Sequence, residues 1–270
     1  MEENKQVSNQ KYDCLLFDLD ETLYPLNSGL SVEVIKNIQE YMIEKLGIEE
    51  SKVPELCFSL YKYYGTTKAG LRAIGYNFDY DDFQSFVHGR LPYDFLKPDP
   101  LLRNLLLSLP IRRVIFTNAD KTHAARVLNQ LGLEDCFDMI ICFETLNSTN
   151  KGSDLVNESN ISSTGIFDIN DCNRHPDLEL PKTPIVCKPF EEAYEQFFFD
   201  DSVRNLQAGK RMRLHTVLVG TSHKAEGVDY ALESIHNIRE ALPELWESSD
   251  EKSESVTYSG EVAIETYVKA

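Results

Sequence analysis

Five short apolar runs alternate along the chain with stretches of helical periodicity, and that alternation limits the fold more than any other feature. The runs are YDCLLF (12–17), RVIF (113–116), DMIICF (138–143), FFF (197–199) and LHTVLV (214–219). Each has strand length, and strands separated by helices run parallel in a sheet covered on both faces. After Ser31, residues Ile35, Ile38, Met42 and Leu46 recur at helical spacing, and further helical patterns cover 51–63 and 79–88. LLRNLLLSL follows Pro100, and Ala124, Val127, Leu128 and Leu131 outline a helix that Gly132 stops. Ser202 to Arg211 and Val228 to Leu242 complete the expected helices. The expected fold class is α/β, a Rossmann-like parallel sheet core.

The same pattern divides the chain. Residues 1–11 read as a loose polar arm, 12–25 and 99–242 as the core, and 26–98 as a helical block inserted after the first strand. Residues 145–182 are rich in Asn, Ser, Asp and Pro and read as a mobile surface insertion within the core. Residues 243–270 read as a disordered acidic tail. No run approaches the ~18 to 20 apolar residues of a membrane span, and the polar start MEENKQVSNQ has no apolar h-region. The expected compartment is the cytoplasm, with the nucleus as the alternative. None of the six cysteines forms a CxxC pair, so free thiols are expected rather than a zinc site. In such a compartment the sequons at Asn147, Asn157 and Asn160 are chance matches. Lys and Arg number 27 against 44 Asp and Glu, a net charge of −17, which argues against nucleic acid bound through a broad basic surface. An anionic small substrate needs a metal ion or a well-placed lysine on such a protein.

The chemistry gathers where apolar runs end. FDLDETLY (17–24) sets Asp18 and Asp20 two residues apart beyond a strand, and in extended backbone both carboxylates face one site. In an open parallel sheet that site is the crevice beyond the strand's carboxyl end. Two close carboxylates repel, and a divalent cation relieves the repulsion. RVIF runs into Thr117 and Asn118 before a helix, where a hydroxyl and backbone N–H groups suit a phosphate, although Thr-Asn is also an ordinary capping pair. Lys188 lies in CKPFEEAYE, and FFFDDS ends in Asp200 and Asp201, two acids that are costly at a buried strand end unless paired or metal-bound. His123, His175 and His223 read as surface residues.

In this order, and each at a strand–helix junction, FDLDET (17–22), Thr117, Lys188 and the 200–201 pair resemble the four motifs of the haloacid dehalogenase superfamily of phosphatases. DETLYPL (20–26), YYGTTKAGL (63–71) and FFDDSVRNLQAGK (198–210) are similar to its plant and fungal pyrimidine 5′-nucleotidase branch. The resemblance implies that Asp18 attacks phosphorus to form an aspartyl-phosphate and that Asp20 serves as general acid and then general base. It implies Mg²⁺ held by the Asp18 carboxylate, the Asp20 backbone carbonyl and Asp200 and Asp201, with Thr117, Asn118 and Lys188 binding phosphoryl oxygens. The helical block 26–98 corresponds to the family's cap. There Tyr24, Tyr63, Tyr64, Thr66 and Thr67 are candidates to stack on and hydrogen-bond a base. The implied substrate is a small phosphorylated metabolite, a pyrimidine nucleoside 5′-monophosphate.

One spacing departs from that pattern. From Lys188 to Asp200 is 12 residues, and only Pro189 to Gln196 is left for a crossover, which ordinarily needs at least ~10 to 12 residues. Eight helical residues rise only ~12 Å, whereas a five-residue strand spans ~17 Å. Either the crossover helix is abbreviated to about two turns, or the chain lacks a segment its relatives have; the second is the preferred explanation. The rival functions are a phosphatase for a sugar phosphate or pyridoxal phosphate, and a non-catalytic protein that keeps the fold.

Overall fold

Every side chain of the strand Cys14–Phe17 (β1) is buried, because the strand has a neighbour on each side and helices on each face. The computed structural model describes residues 14–147, 166–167, 169, 180–189, 197–212 and 214–246. The other strands are Arg112–Phe116 (β2), Met139–Ile141 (β3), Phe197–Asp200 (β4), Thr216–Val219 (β5) and Tyr230–Leu232 (β6). All pair in parallel, in the order β3-β2-β1-β4-β5-β6. The chain builds outward from β1 to β3 and then returns to the other side of β1. The crevice at that reversal, beyond the carboxyl ends of β1 and β4, is where such a sheet binds ligands.

Alternation along the strands supplies two cores. Leu15, Phe17, Ile115, Phe199 and Val217 face one way, toward helices Pro100–Leu107 and Lys121–Leu131. Cys14, Leu16, Val114, Phe116, Phe198 and Leu218 face the other, toward the helix Val203–Arg211. Phe17 and Phe199 lie in register, their rings stacked at 4.6 Å. A third cluster, including Tyr41, Met42, Leu60, Leu71 and Phe83, joins the four helices Leu30–Glu44 (α1), Val53–Tyr64 (α2), Thr67–Ala73 (α3) and Tyr80–Val87 (α4). The later helices are numbered α5 (Pro100–Leu107), α6 (Lys121–Leu131), α7 (Phe143–Leu146), α8 (Val203–Arg211) and α9 (Ile238–Ala241). Asp79, Asp99 and Asp120 cap α4, α5 and α6 by accepting backbone N–H bonds, each cap worth about 1 kcal/mol. Gly132 closes α6 at φ 68°, a left-handed conformation that favours glycine.

Three expectations change. Residues 228–242 are not one helix: Tyr230–Leu232 is the edge strand β6, held by its register with β5, and only Ile238–Ala241 is α-helical. A three-residue strand is decided by the edge that pairs with it, not by its own periodicity. Within the 145–182 segment, Ile169 is fully buried and Phe167 donates its N–H to the Ile74 carbonyl, so both pack against the α1–α4 cluster instead of lying on the surface. Asn147 is buried as well, its side-chain amide bonded to Phe143 and Val186. The packed chain also runs beyond 242: Leu245 is buried and the Trp246 Nε1 donates to the Ser108 Oγ at 2.9 Å. The 1–11 arm, most of 145–182, His175, Asn157, Asn160 and residues 247–270 lie outside the described residues. Cys14, Cys57, Cys136, Cys142 and Cys187 are buried thiols, with no disulfide among the described residues. Among the described residues no helix is long and apolar enough to cross a membrane.

Candidate active site

Asp18 and Asp200 face each other because their strands are in register. Phe17 pairs with Phe199, and the Asp18 N–H donates to the Phe199 carbonyl at 2.8 Å. Lys188 joins the two acids, its Nζ lying 2.7 Å from Asp18 Oδ1 and 2.7 Å from Asp200 Oδ2. The lysine is 1 % exposed, Asp18 7 % and Asp200 0 %. Asp200 also accepts bonds from the Ser202 N–H and the Asn205 Nδ2, so its charge is well satisfied. Asp201 completes the group: Asp18, Asp200 and Asp201 each offer a carboxylate oxygen, all within 4.8 Å of one another. Burial raises the pKa of Asp18, and the charges of Asp200 and Asp20 add to this while Lys188 opposes it. Burial and the charges of Asp200 and Asp18 likewise raise Asp201. Three hard oxygen donors gathered this closely form a set that suits a hard divalent cation.

Asp20 sits apart from that trio. Glu21 adopts φ 61°, an uncommon conformation for a non-glycine residue, where the chain turns out of the strand. Leu19 points into the core, while Asp20 keeps its side chain 35 % exposed. Its Oδ1 receives the Tyr24 hydroxyl at 2.6 Å and lies 2.8 Å from His123 Nε2. Burial works against the Asp20 carboxylate, but His123 and Tyr24 outweigh it and lower its pKa to about 2. Burial likewise works against the His123 imidazolium, and the Asp20 carboxylate overcomes it, so the histidine is raised above its ordinary value. His123 is therefore no surface residue. It is 1 % exposed, with its Nδ1 2.9 Å from the Tyr93 hydroxyl and its ring centre 4.4 Å from that of His88, the planes tilted by 31°. His88 in turn bonds Asp120 through Nδ1, and Tyr93 also donates to the His88 carbonyl at 3.1 Å. His223 is exposed, as expected.

The phosphate-binding candidates divide. Thr117 lies at the end of β2 with its N–H given to Ile141, and its Oγ1 accepts from the Ala119 N–H at 3.0 Å, leaving the hydroxyl hydrogen to donate. The Asn118 side chain is engaged elsewhere. It donates to the Lys188 carbonyl at 3.1 Å and accepts the Lys188 N–H at 2.8 Å, fastening the lysine's loop to β2. Gly65 presses on the same loop from α2. At φ +83° a Cβ on it would stand 2.1 Å from the Lys188 carbonyl oxygen. Thr22 is buried, and among the described residues its Oγ1 has no partner.

The aromatic and hydroxyl candidates for base contact are mostly structural. Tyr24 is 5 % exposed and spends its hydroxyl on Asp20. Tyr64 is buried and donates to the Pro181 carbonyl, Thr66 caps α3, and buried Thr67 donates to the Cys57 carbonyl. Backbone acceptors claim Tyr64 and Thr67, as they do most buried hydroxyls, and Thr66 accepts the Ala69 N–H. Tyr63 is half-buried. The residues that sequence reasoning missed are His123, His88, Tyr93 and Lys68. Lys68 is buried with its ammonium 3.3 Å above the Phe143 ring, and burial lowers its pKa to about 8. The signal for His123 was present: it precedes Val127 by one helical repeat and Leu131 by two, on the buried stripe of α6.

Residues 12–154 match the family model of the haloacid dehalogenase-like hydrolases. The matched stretch contains Asp18, Asp20 and Thr117 and ends before Lys188. Among curated proteins the chain is similar to phosphate metabolism protein 8 of Saccharomyces cerevisiae, 32 % identical over 132 residues, which are 46 % of this chain and 41 % of that protein. The match thus spans about two fifths of that relative's length. Among solved structures it is similar to a phosphatase of the same superfamily from Thermococcus onnurineus, with TM-score 0.46 and 14 % identity over 84 % of this chain and 96 % of that one. It is also similar to CbbY from Rhodobacter sphaeroides, solved in complex with phosphate, with TM-score 0.46 and 16 % identity over 87 % of this chain and 99 % of that one.

Proposed function

The chain belongs to the haloacid dehalogenase-like hydrolases, and from that premise we propose that it hydrolyses a phosphomonoester, with Asp18 as nucleophile and Asp20 as general acid and base. The observation that carries this reading is the meeting of Asp18, Asp200 and Asp201 within 4.8 Å at the sheet's reversal point, with Lys188 between two of them. Asp18, Asp200 and Asp201 are the side chains that would hold Mg²⁺, with the Asp20 carbonyl as a further donor. Bound there, the ion offsets charge on the phosphoryl oxygens and on the acids around it.

In the first step an Asp18 oxygen bonds to phosphorus, the ester P–O bond breaks, and the leaving oxygen takes a proton from Asp20. In the second, water bonds to phosphorus, gives a proton to Asp20 and displaces Asp18, releasing inorganic phosphate. Without substrate Asp20 is held ionised, which suits the second step. A phosphoryl dianion beside it raises its proton affinity for the first. Lys188 and the Thr117 hydroxyl bind phosphoryl oxygens; the Asn118 side chain keeps Lys188 in place.

The substrate we propose is a pyrimidine nucleoside 5′-monophosphate, supported by the likeness of residues 20–26, 63–71 and 198–210 to that branch of the family. We assign the α1–α4 block the role of a cap that chooses the leaving group. Release of inorganic phosphate from a panel with Mg²⁺ tests both levels. UMP and CMP turned over no better than sugar phosphates or pyridoxal phosphate would remove the nucleotide assignment, and wild-type turnover by Asp18→Asn would remove the nucleophile.

The short Lys188–Asp200 spacing favours a second reading, a non-catalytic protein with this fold. Inserting about a dozen residues between Gln196 and Phe197 restores an ordinary crossover length. If a segment is lacking, the insertion raises the melting temperature and the turnover together. An unchanged melting temperature would mark the short form as a complete fold.

A further inference from the structure

Asp20 is gripped from one side only. Tyr24 and His123 both bond its Oδ1, and among the described residues none bonds its Oδ2, although the side chain is one-third exposed. A carboxylate fixed through one oxygen presents the other in a single orientation, whereas a free carboxylate rotates about its last torsion. His123 cannot turn away, because it is buried, bonded at Nδ1 to Tyr93 and packed against the His88 ring. Its two ring nitrogens therefore link Asp20 to a segment outside the sheet. His88 follows the last residue of α4, and Tyr93 lies five residues further on.

We propose that His123 is the positioning residue of Asp20: with Tyr24 it pins Oδ1 so that Oδ2 is the atom exchanging a proton with the leaving oxygen and then with water, and Tyr93 and His88 set its ring from the helical side. This rests on the hydrolase reading above. It assigns His123 no contact with substrate and no place among the metal donors. Its influence falls on proton delivery and not on binding. An ester whose leaving group departs without a proton therefore bypasses it in the first step, and an alkyl ester does not, whereas the attack of water is common to both.

The test compares wild type, His123→Ala and His123→Gln on two esters, the best alkyl phosphate of the panel and p-nitrophenyl phosphate. Glutamine retains a donor of similar reach. Loss of general-acid assistance is worth about 100-fold or more in rate. Because kcat/KM reports transfer to Asp18 and not the later attack of water, the expected result for His123→Ala is a fall in kcat/KM of that size on the alkyl ester and a far smaller fall on the nitrophenyl ester, and His123→Gln recovers part of the loss. Equal falls in kcat/KM on both esters overturn the proposal, because a structural defect does not distinguish leaving groups. A thermal-melting cycle of Asp20→Ala, His123→Ala and the double variant tests the contact without turnover. Non-additive shifts are expected of a directly bonded pair, and additive shifts overturn it. A wild-type protein that releases phosphate from no ester sinks the hydrolase reading, and the melting cycle still shows whether His123 and Asp20 are coupled.

Discussion

Asp18 and Asp20 are two residues apart on one strand end, yet they occupy opposite environments. Asp18 is buried among Asp200, Asp201 and Lys188, and burial with like charge raises its pKa. Asp20 opens toward solvent, receives two hydrogen bonds on one oxygen and is held low. Carboxylates whose surroundings drive them apart take different chemical roles. The acidic trio surrounds Asp18 with groups that want a cation, which suits an atom that attacks phosphorus. The histidine–tyrosine grip gives Asp20 a fixed direction, which suits proton transfer. The turn at Glu21 accompanies the difference: extended backbone alone would have pointed both side chains into one environment.

The largest way to break this contrast is to neutralise each acid in turn. Asp18→Asn lowers phosphate release ~10⁴-fold or more on every ester, because no phosphoenzyme forms. In kcat/KM, which reports the first step alone, Asp20→Asn falls about 100-fold or more on alkyl esters and much less on p-nitrophenyl phosphate. Equal profiles for the two variants would erase the assigned division of labour. Next in size is Lys188→Met, which leaves Asp18 and Asp200 buried together without their cation. Removing one partner of a buried ionic group costs about 3–5 kcal/mol, read as a lower urea midpoint. Added Mg²⁺ restores more stability to this variant than to wild type if the trio holds the ion.

A smaller effect separates the helical side of the network from the sheet side. Burial lowers the pKa of His88, and the neighbouring His123 charge pushes the same way. A histidine depressed in the folded state binds protons more readily unfolded, so its contribution is complete above the ordinary value near 6.5 and is lost as pH falls below it. His88→Asn removes that loss. The melting-temperature gap between wild type and the variant is therefore expected to be narrower at pH 5.5 than at pH 7.5. A gap that widens on acidification would mean that His88 is charged in the folded protein.

What could be read in advance follows from how local each signal is. FDLDET is contiguous, and β1 delivers it to the crevice whatever else the chain does, so Asp18 was legible. The edge strand β6 was not, because Tyr230–Leu232 owes its state to pairing with β5. His123 lies 103 positions from Asp20, and its polar character hid a place on the buried stripe of α6. For Tyr24, Tyr64, Thr66 and Thr67 residue type suggested a ligand, and the structure gives each hydroxyl a partner within the protein: a carboxylate one turn away for Tyr24, the helix N-terminus it caps for Thr66, and backbone brought near by the fold for Tyr64 and Thr67. The short Lys188–Asp200 spacing raised doubt about where the lysine lies, yet its ammonium reaches both acids.

The finest test concerns the second donor on Asp20. Burial and the Asp20 charge push the Tyr24 phenol well above the ordinary tyrosine range, so its hydroxyl remains a donor at any pH at which the protein is handled. Tyr24→Phe deletes that one bond and keeps the buried ring. A hydrogen bond to a charged group contributes about 1.5–3 kcal/mol at most, and His123 still holds the same oxygen. The expected result is a fall of about tenfold or less in kcat on alkyl esters, smaller than that of His123→Ala, with KM unchanged. If Tyr24→Phe instead raises KM for nucleotides and spares kcat, the ring's hydroxyl serves the substrate after all, and Asp20 depends on His123 alone for its direction.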